Sequence, residues 1–138
     1  MRVCLLDTGP MVALFHQGDR FHAHFHQLIV ESPEPFQMHT TWPCVVEASH
    51  LLGPRHRLAL LQWVGYGAVQ VFPFDAPDLL EMCAWMEQYT EQPRTEMDLA
   101  DGTLYWLACE SGVTRILTTD VRDFSRYRLP DGRGFELL

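Results

Sequence analysis

Short apolar runs alternate along the chain with longer stretches in which apolar positions recur every three or four residues. That is the pattern of strands and helices taking turns, as in an α/β domain built on a parallel sheet. Val3-Cys4-Leu5-Leu6 is a continuous apolar run, expected of a strand buried on both faces. Asp7-Thr8-Gly9-Pro10 then turns the chain into a helix over Met11–His16, with Pro10 suited to a first helical turn. A second helix is predicted from Asp19 to Glu31, stopped by Pro33 and Pro35, and Phe36–His39 reads as a short strand.

Thr40 or Thr41 is placed to cap the next helix, with Pro43 in its first turn and Val45, Val46, Leu51 and Leu52 as apolar positions. Gly53-Pro54 closes it, and a separate helix follows over Arg55–Val64. Ala68–Phe72 reads as a strand. Residues 77–90 carry Leu79, Leu80, Cys83 and Met86 close to a helical stripe. Leu99–Cys109 is a strongly apolar helix ended by Gly112. A strand at Thr114–Thr118, a short helical turn and a last strand at Phe135–Leu138 complete the pattern. No repeat or linker divides the 138 residues, so one domain spanning 1–138 is expected.

Charge narrows the possibilities. Eighteen acids face ten bases, every base is Arg, and the net charge is −8. Bulk attraction to a polyanion is therefore lacking, and any contact with nucleic acid requires a local basic patch or bound cations. Arg122 and Arg126 belong to one of the two basic concentrations, beside Asp120, where contact with phosphate is the functional reading. The four cysteines lack a C-x-x-C pair and read as reduced core thiols. No apolar run approaches the roughly 20 residues of a membrane span, and Asp7 comes too early for a signal peptide, so a cytoplasmic protein is expected.

The acids carry the chemistry. In parallel sheets ligands collect beyond the carboxyl ends of the strands, where Asp7 and Asp120 both fall. Glu47 lies among apolar helical positions, and Asp98 and Asp101 begin a helix. Carboxylates converging there repel one another unless a cation neutralises them, and an oxygen-rich, nitrogen-poor set suits Mg²⁺ or Mn²⁺. A plainer reading stands beside this one: Asp98-x-x-Asp101 and Asp120-x-x-Asp123 have helix-capping spacing, and Asp7 is placed to cap the first helix.

Taken in order, Leu5-Leu6-Asp7-Thr8, Glu47, Met97-Asp98-Leu99-Ala100-Asp101 and Leu117-Thr118-Thr119-Asp120-Val121-Arg122-Asp123-Phe124 resemble PIN-domain proteins, in particular the small VapC-type toxin ribonucleases. The resemblance implies a three-layer α/β/α sandwich around a parallel sheet. It also implies Mg²⁺- or Mn²⁺-dependent RNA hydrolysis that leaves a 5′-phosphate and a 3′-hydroxyl. The acidic quartet maps onto Asp7, Glu47, Asp101 and Asp120, with Asp98 and Asp123 as further metal-facing acids and the Thr8 and Thr118 hydroxyls behind them. A small antitoxin and a homodimer are the implied partners, with Trp42, Trp63 or Trp85 available as dimer anchors. Residues 75–101 contain eight acids and only Arg94 as a base, a field that attracts a basic peptide. Gly9-Pro10 departs from the family, in which many members carry Asn and an apolar residue.

A non-catalytic RNA-binding or scaffold module of the same fold is the rival reading, and loss of a quartet acid would favour it. An aspartate-phosphorylated receiver is excluded by the single acid after the first strand and the absence of Lys. His22 and His26 are spaced i, i+4 but no Glu completes an H-E-x-x-H motif, so a solvated helix face is expected there.

Overall fold

The computed structural model describes residues 2–138. Five parallel strands form one sheet in the order β3-β2-β1-β4-β5: β1 (Arg2–Leu6), β2 (Phe36–Thr41), β3 (Val69–Phe72), β4 (Arg115–Leu117) and β5 (Glu136–Leu137). Six helices complete a three-layer α/β/α sandwich: α1 (Thr8–Phe15), α2 (His22–His26), α3 (Trp42–Gly65), α4 (Asp78–Gln88), α5 (Leu99–Ser111) and α6 (Val121–Arg126). Leu5, Leu6, Ile116 and Leu117 are fully buried at its centre, as continuous apolar runs in a doubly covered sheet require. No helix among the described residues is long and apolar enough to cross a membrane.

The strand order reverses at β1, which pairs with β2 on one side and β4 on the other. A crevice opens beyond the carboxyl ends of strands at such a switch point. Asp7 follows β1, and Asp120 stands three residues after β4. The Leu5–Ile116 and Leu6–Leu117 register sets both acids at one edge of the sheet.

Several local expectations are corrected. The helix expected from near Asp19 to about Glu31 starts later and changes winding: the Asp19 carboxylate accepts from Phe21 N at 2.8 Å in a turn, α2 begins at His22, and the helix continues to Glu31 with Gln27–Glu31 wound as a π-helix. Gly53-Pro54 divides α3 into the two helices expected there: Gly53 takes φ of 76° and ψ of 177°, well outside helical geometry, and Pro54 opens the second half. Thr41 precedes α3 without capping it through its side chain, because its hydroxyl pairs with Thr103 at 2.7 Å, 62 residues away on α5. Gly112 ends α5 in the left-handed conformation, as predicted. Cys4 and Cys44 are buried core thiols, but Cys83 is exposed. Trp63 packs on Phe15 and Trp85 on Tyr105, each remaining partly exposed, and Trp42 stands half exposed. His22 spends Nδ1 on the Ala13 carbonyl at 2.7 Å, so its pairing with His26 serves local packing.

Candidate active site

Three carboxylates at the switch point are held in place because each caps a helix. Asp7 caps α1 and accepts from Thr8 N at 2.8 Å, Asp98 caps α5 and accepts from Asp101 N at 2.9 Å, and Asp120 caps α6 and accepts from Asp123 N at 3.1 Å. Capping and site-building are thus the same interaction here, since the free helix N–H groups both orient the acids and favour their negative charge.

The Thr118 hydroxyl ties two of these acids together. It donates to Asp7 Oδ2 at 2.7 Å and accepts from Asp120 N at 2.9 Å. Thr8 reaches the Cys44 carbonyl through its hydroxyl at 3.4 Å, linking α1 to α3. Asp101 is nearly buried, and its Oδ2 accepts from the Tyr127 hydroxyl at 2.9 Å. Asp123 Oδ1 accepts from Arg126 Nε at 3.0 Å.

A cavity of 430 Å³ gathers Asp7, Glu47, Asp98, Asp101, Asp120 and Asp123. Carboxylate oxygens of Asp101, Asp120 and Asp123 lie within 4.8 Å of one another. Asp7 sits behind this trio with both oxygens hydrogen-bonded, and Glu47 comes from α3 alongside Asp98. No His, Cys or Lys lines the cleft.

Crowding of like charges in a dry site shows in the acidities. Burial, with the nearby Asp7 and Asp98 charges, pushes Asp101 up to about 9 against the lowering effect of Tyr127. Asp7 rises to about 6, chiefly through burial and despite its bonds to Thr118 and Thr8. Glu47 is raised by burial and then by Asp98, and Asp120 is raised chiefly by burial. A divalent cation would relieve all of these at once, and an all-oxygen donor set matches a hard cation.

The two expected RNA-contacting arginines part company. Arg122 is exposed at the rim of the cleft, where its guanidinium donates to the Arg94 carbonyl at 3.0 Å. Arg126 instead lies on the Tyr127 ring at 4.9 Å while bonding Asp123, so it orients an acid rather than facing the cleft. Arg94 lines the cleft as well. Tyr127 is the residue that sequence reasoning missed, since no spacing rule connects it with an acid 26 positions earlier.

No protein-family model and no curated protein matches the sequence. Among solved structures the chain is similar to VapC20 of Mycobacterium tuberculosis, a sarcin-ricin loop cleaving toxin. The TM-score is 0.70 over 88% of this chain and 92% of that one, at 18% identity. The fold is the PIN-type α/β/α sandwich that the sequence motifs implied.

Proposed function

We propose that the chain is a metal-dependent endoribonuclease that hydrolyses RNA phosphodiesters. The observation carrying this reading is the trio Asp101, Asp120 and Asp123, with oxygens within 4.8 Å at the switch point of a PIN-type sheet. These three acids, with Asp7 and Asp98 beside them, would hold Mg²⁺ or Mn²⁺. When bound, such a cation activates water and neutralises charge in an in-line phosphodiester displacement.

The protein's own groups supply the rest. Thr118 and Tyr127 hold Asp7 and Asp101 in fixed orientations. Glu47, which lines the cleft beside Asp98 and whose raised affinity for protons comes chiefly from burial, would take a proton from the attacking water. Arg122 and Arg94 at the rim offer guanidinium groups to the phosphates. The product ends are a 5′-phosphate and a 3′-hydroxyl.

The same cleft suits control by a small basic antitoxin. A basic side chain among the acids would take the place of the cation's charge and block the substrate. The acids of residues 75–101 extend that attraction along the chain. Incubation of the purified protein with a sarcin-ricin loop RNA and Mn²⁺ tests the activity. Cleavage that stops in EDTA and leaves 5′-phosphate ends is expected. Intact RNA under every metal condition, or cleavage that persists in EDTA, would overturn the reading.

A further inference from the structure

The acidic cleft opens on one side into an apolar groove of 770 Å³ that begins at Glu47 and Asp98, two residues lining both cavities. Trp42, 51% exposed in the first turn of α3, forms one wall together with Val46, 64% exposed one turn later. Phe74 forms the other and is held edge-on by Trp106 at 6.0 Å between ring centroids. Pro43, Pro73 and the exposed Leu99 complete an apolar surface with no basic group stronger than His50. The cleft also shares Thr119, Asp120 and Arg122 with a third cavity, lined by Arg20 and His24 together with the apolar Phe21, Phe25 and Val121. The acidic cleft therefore adjoins an apolar groove through Glu47 and Asp98, and a mixed cavity carrying Arg20 and Arg122 through Thr119, Asp120 and Arg122.

This layout matters because the chain carries net charge −8 and has no Lys. Affinity for RNA cannot come mainly from charge neutralisation along the backbone, the usual source. Beside the few local guanidinium groups and a bound cation, a contact indifferent to charge adds affinity, and stacking of a base on an aromatic ring is such a contact. A phosphodiester held at the acids carries a nucleoside on each side of it. The Trp42 groove adjoins the acids at Glu47 and Asp98.

We infer that the groove between Trp42 and Phe74 is a nucleobase site, which takes one unpaired base next to the scissile phosphate while Arg122 and Arg20 hold the backbone on the other side. The inference rests on the ribonuclease reading for placing the phosphate at the acids. A base can enter only by leaving its own stack, so loops and single strands are the favoured substrates and a perfect duplex is refused. Trp42 is then a specificity-determining residue that touches no reacting atom.

The test is equilibrium binding, followed by fluorescence anisotropy, of a labelled oligoadenylate of about 12 residues and of an abasic ribose-phosphate oligomer of equal length. Ca²⁺ is present throughout, and the proteins compared are wild type, Trp42→Ala and Trp42→Phe. Trp42→Ala is expected to weaken oligoadenylate binding by about tenfold, to leave abasic binding unchanged, and to be largely rescued by Trp42→Phe. Equal losses for both oligomers, or no loss, overturn the inference. So does sedimentation showing that Trp42→Ala splits a wild-type dimer, because the groove is then a face between copies. RNA hydrolysis in Mn²⁺, measured on the same samples, separates the two ideas. A chain that binds bases through Trp42 yet cuts nothing keeps the base site and loses the nuclease; one that cuts RNA but whose oligoadenylate affinity ignores Trp42 keeps the nuclease and loses the base site.

Discussion

The Tyr127 hydroxyl donates a 2.9 Å hydrogen bond to Asp101 Oδ2, joining the end of α6 to the first turn of α5 in a buried part of the cleft. Tyr127 itself is fully buried within a cluster of Phe124, Tyr89 and Tyr105. Its bond favours the charged form of Asp101, the form a cation requires. Removing the hydroxyl should let protons compete better with the metal. Tyr127→Phe is expected to fold, to bind Mn²⁺ about tenfold more weakly, as fits the loss of a hydrogen bond to a charged group, and to need higher pH for full activity. Calorimetric Mn²⁺ titration checks this, and unchanged affinity would remove Tyr127 from the site's machinery.

Asp98 and Asp101 divide two roles that a linear motif leaves mixed. Asp98 accepts from Asp101 N at 2.9 Å, a bond that Asn preserves, whereas Asp101 joins the trio of close carboxylates. Asp98→Asn should therefore keep part of the RNA-cleaving activity, and Asp98→Ala should cost about 1 kcal/mol of stability through loss of the cap. Asp101→Ala should lose activity outright. The reverse order in a metal-titrated assay would show that the roles are exchanged.

The pH dependence of stability follows from the same acids. A carboxyl whose folded pKa exceeds its unfolded value near 3.9 holds its proton more tightly when folded. Its contribution therefore favours folding in acid and is lost as pH rises through the folded value, about 6 for Asp7 and about 9 for Asp101. Without metal, Tm should fall between about pH 5 and about pH 9. Because a cation binds the deprotonated site, Mn²⁺ should raise Tm more at about pH 8 than at about pH 5. Thermal melts with and without Mn²⁺ read both effects, and a metal-independent, flat profile would contradict the cluster's electrostatics.

Gly9, the departure from the family pattern, has a local cause. A Cβ at this position would lie 2.1 Å from Thr119 Oγ1 and 3.0 Å from Thr119 Cβ. Thr119 immediately precedes Asp120, so the crowding would reach the clustered acids. Gly9→Ala is expected to destabilise by about 1–3 kcal/mol and to reduce activity, with partial recovery in the double variant Gly9→Ala/Thr119→Ala. Melting temperatures of the two variants decide it, and a neutral Gly9→Ala would mean that Thr119 simply rotates away.

Much of this molecule is legible in its sequence, and the reason is locality. Val3–Leu6 and Asp7 announce a buried strand ending at an acid, and Gly112 announces the end of α5, because the responsible interactions lie within a few residues. The adjacency of β1 and β4, which brings Asp7 and Asp120 together, follows once the motifs are read as one family pattern. Contacts closed across the fold leave no such trace. Thr41 abandons a cap for Thr103, Arg126 turns from the cleft onto Asp123 and Tyr127, and Tyr127 reaches Asp101; each choice is made by tertiary neighbours rather than by spacing. The π-helical winding of Gln27–Glu31 likewise has no counterpart in the apolar periodicity.

The central claim is that the clustered acids hold a cation for RNA hydrolysis. The rate of RNA hydrolysis against Mn²⁺ concentration, for wild type and for Asp120→Asn purified identically, addresses it most directly. Asp120 is chosen because it belongs to the close trio and its capping bond to Asp123 N survives as Asn. The account predicts a wild-type rate that climbs with Mn²⁺ and saturates, and a variant that is folded yet inactive across the whole titration. Hydrolysis by Asp120→Asn at the wild-type rate, or a wild-type rate indifferent to Mn²⁺, would contradict it.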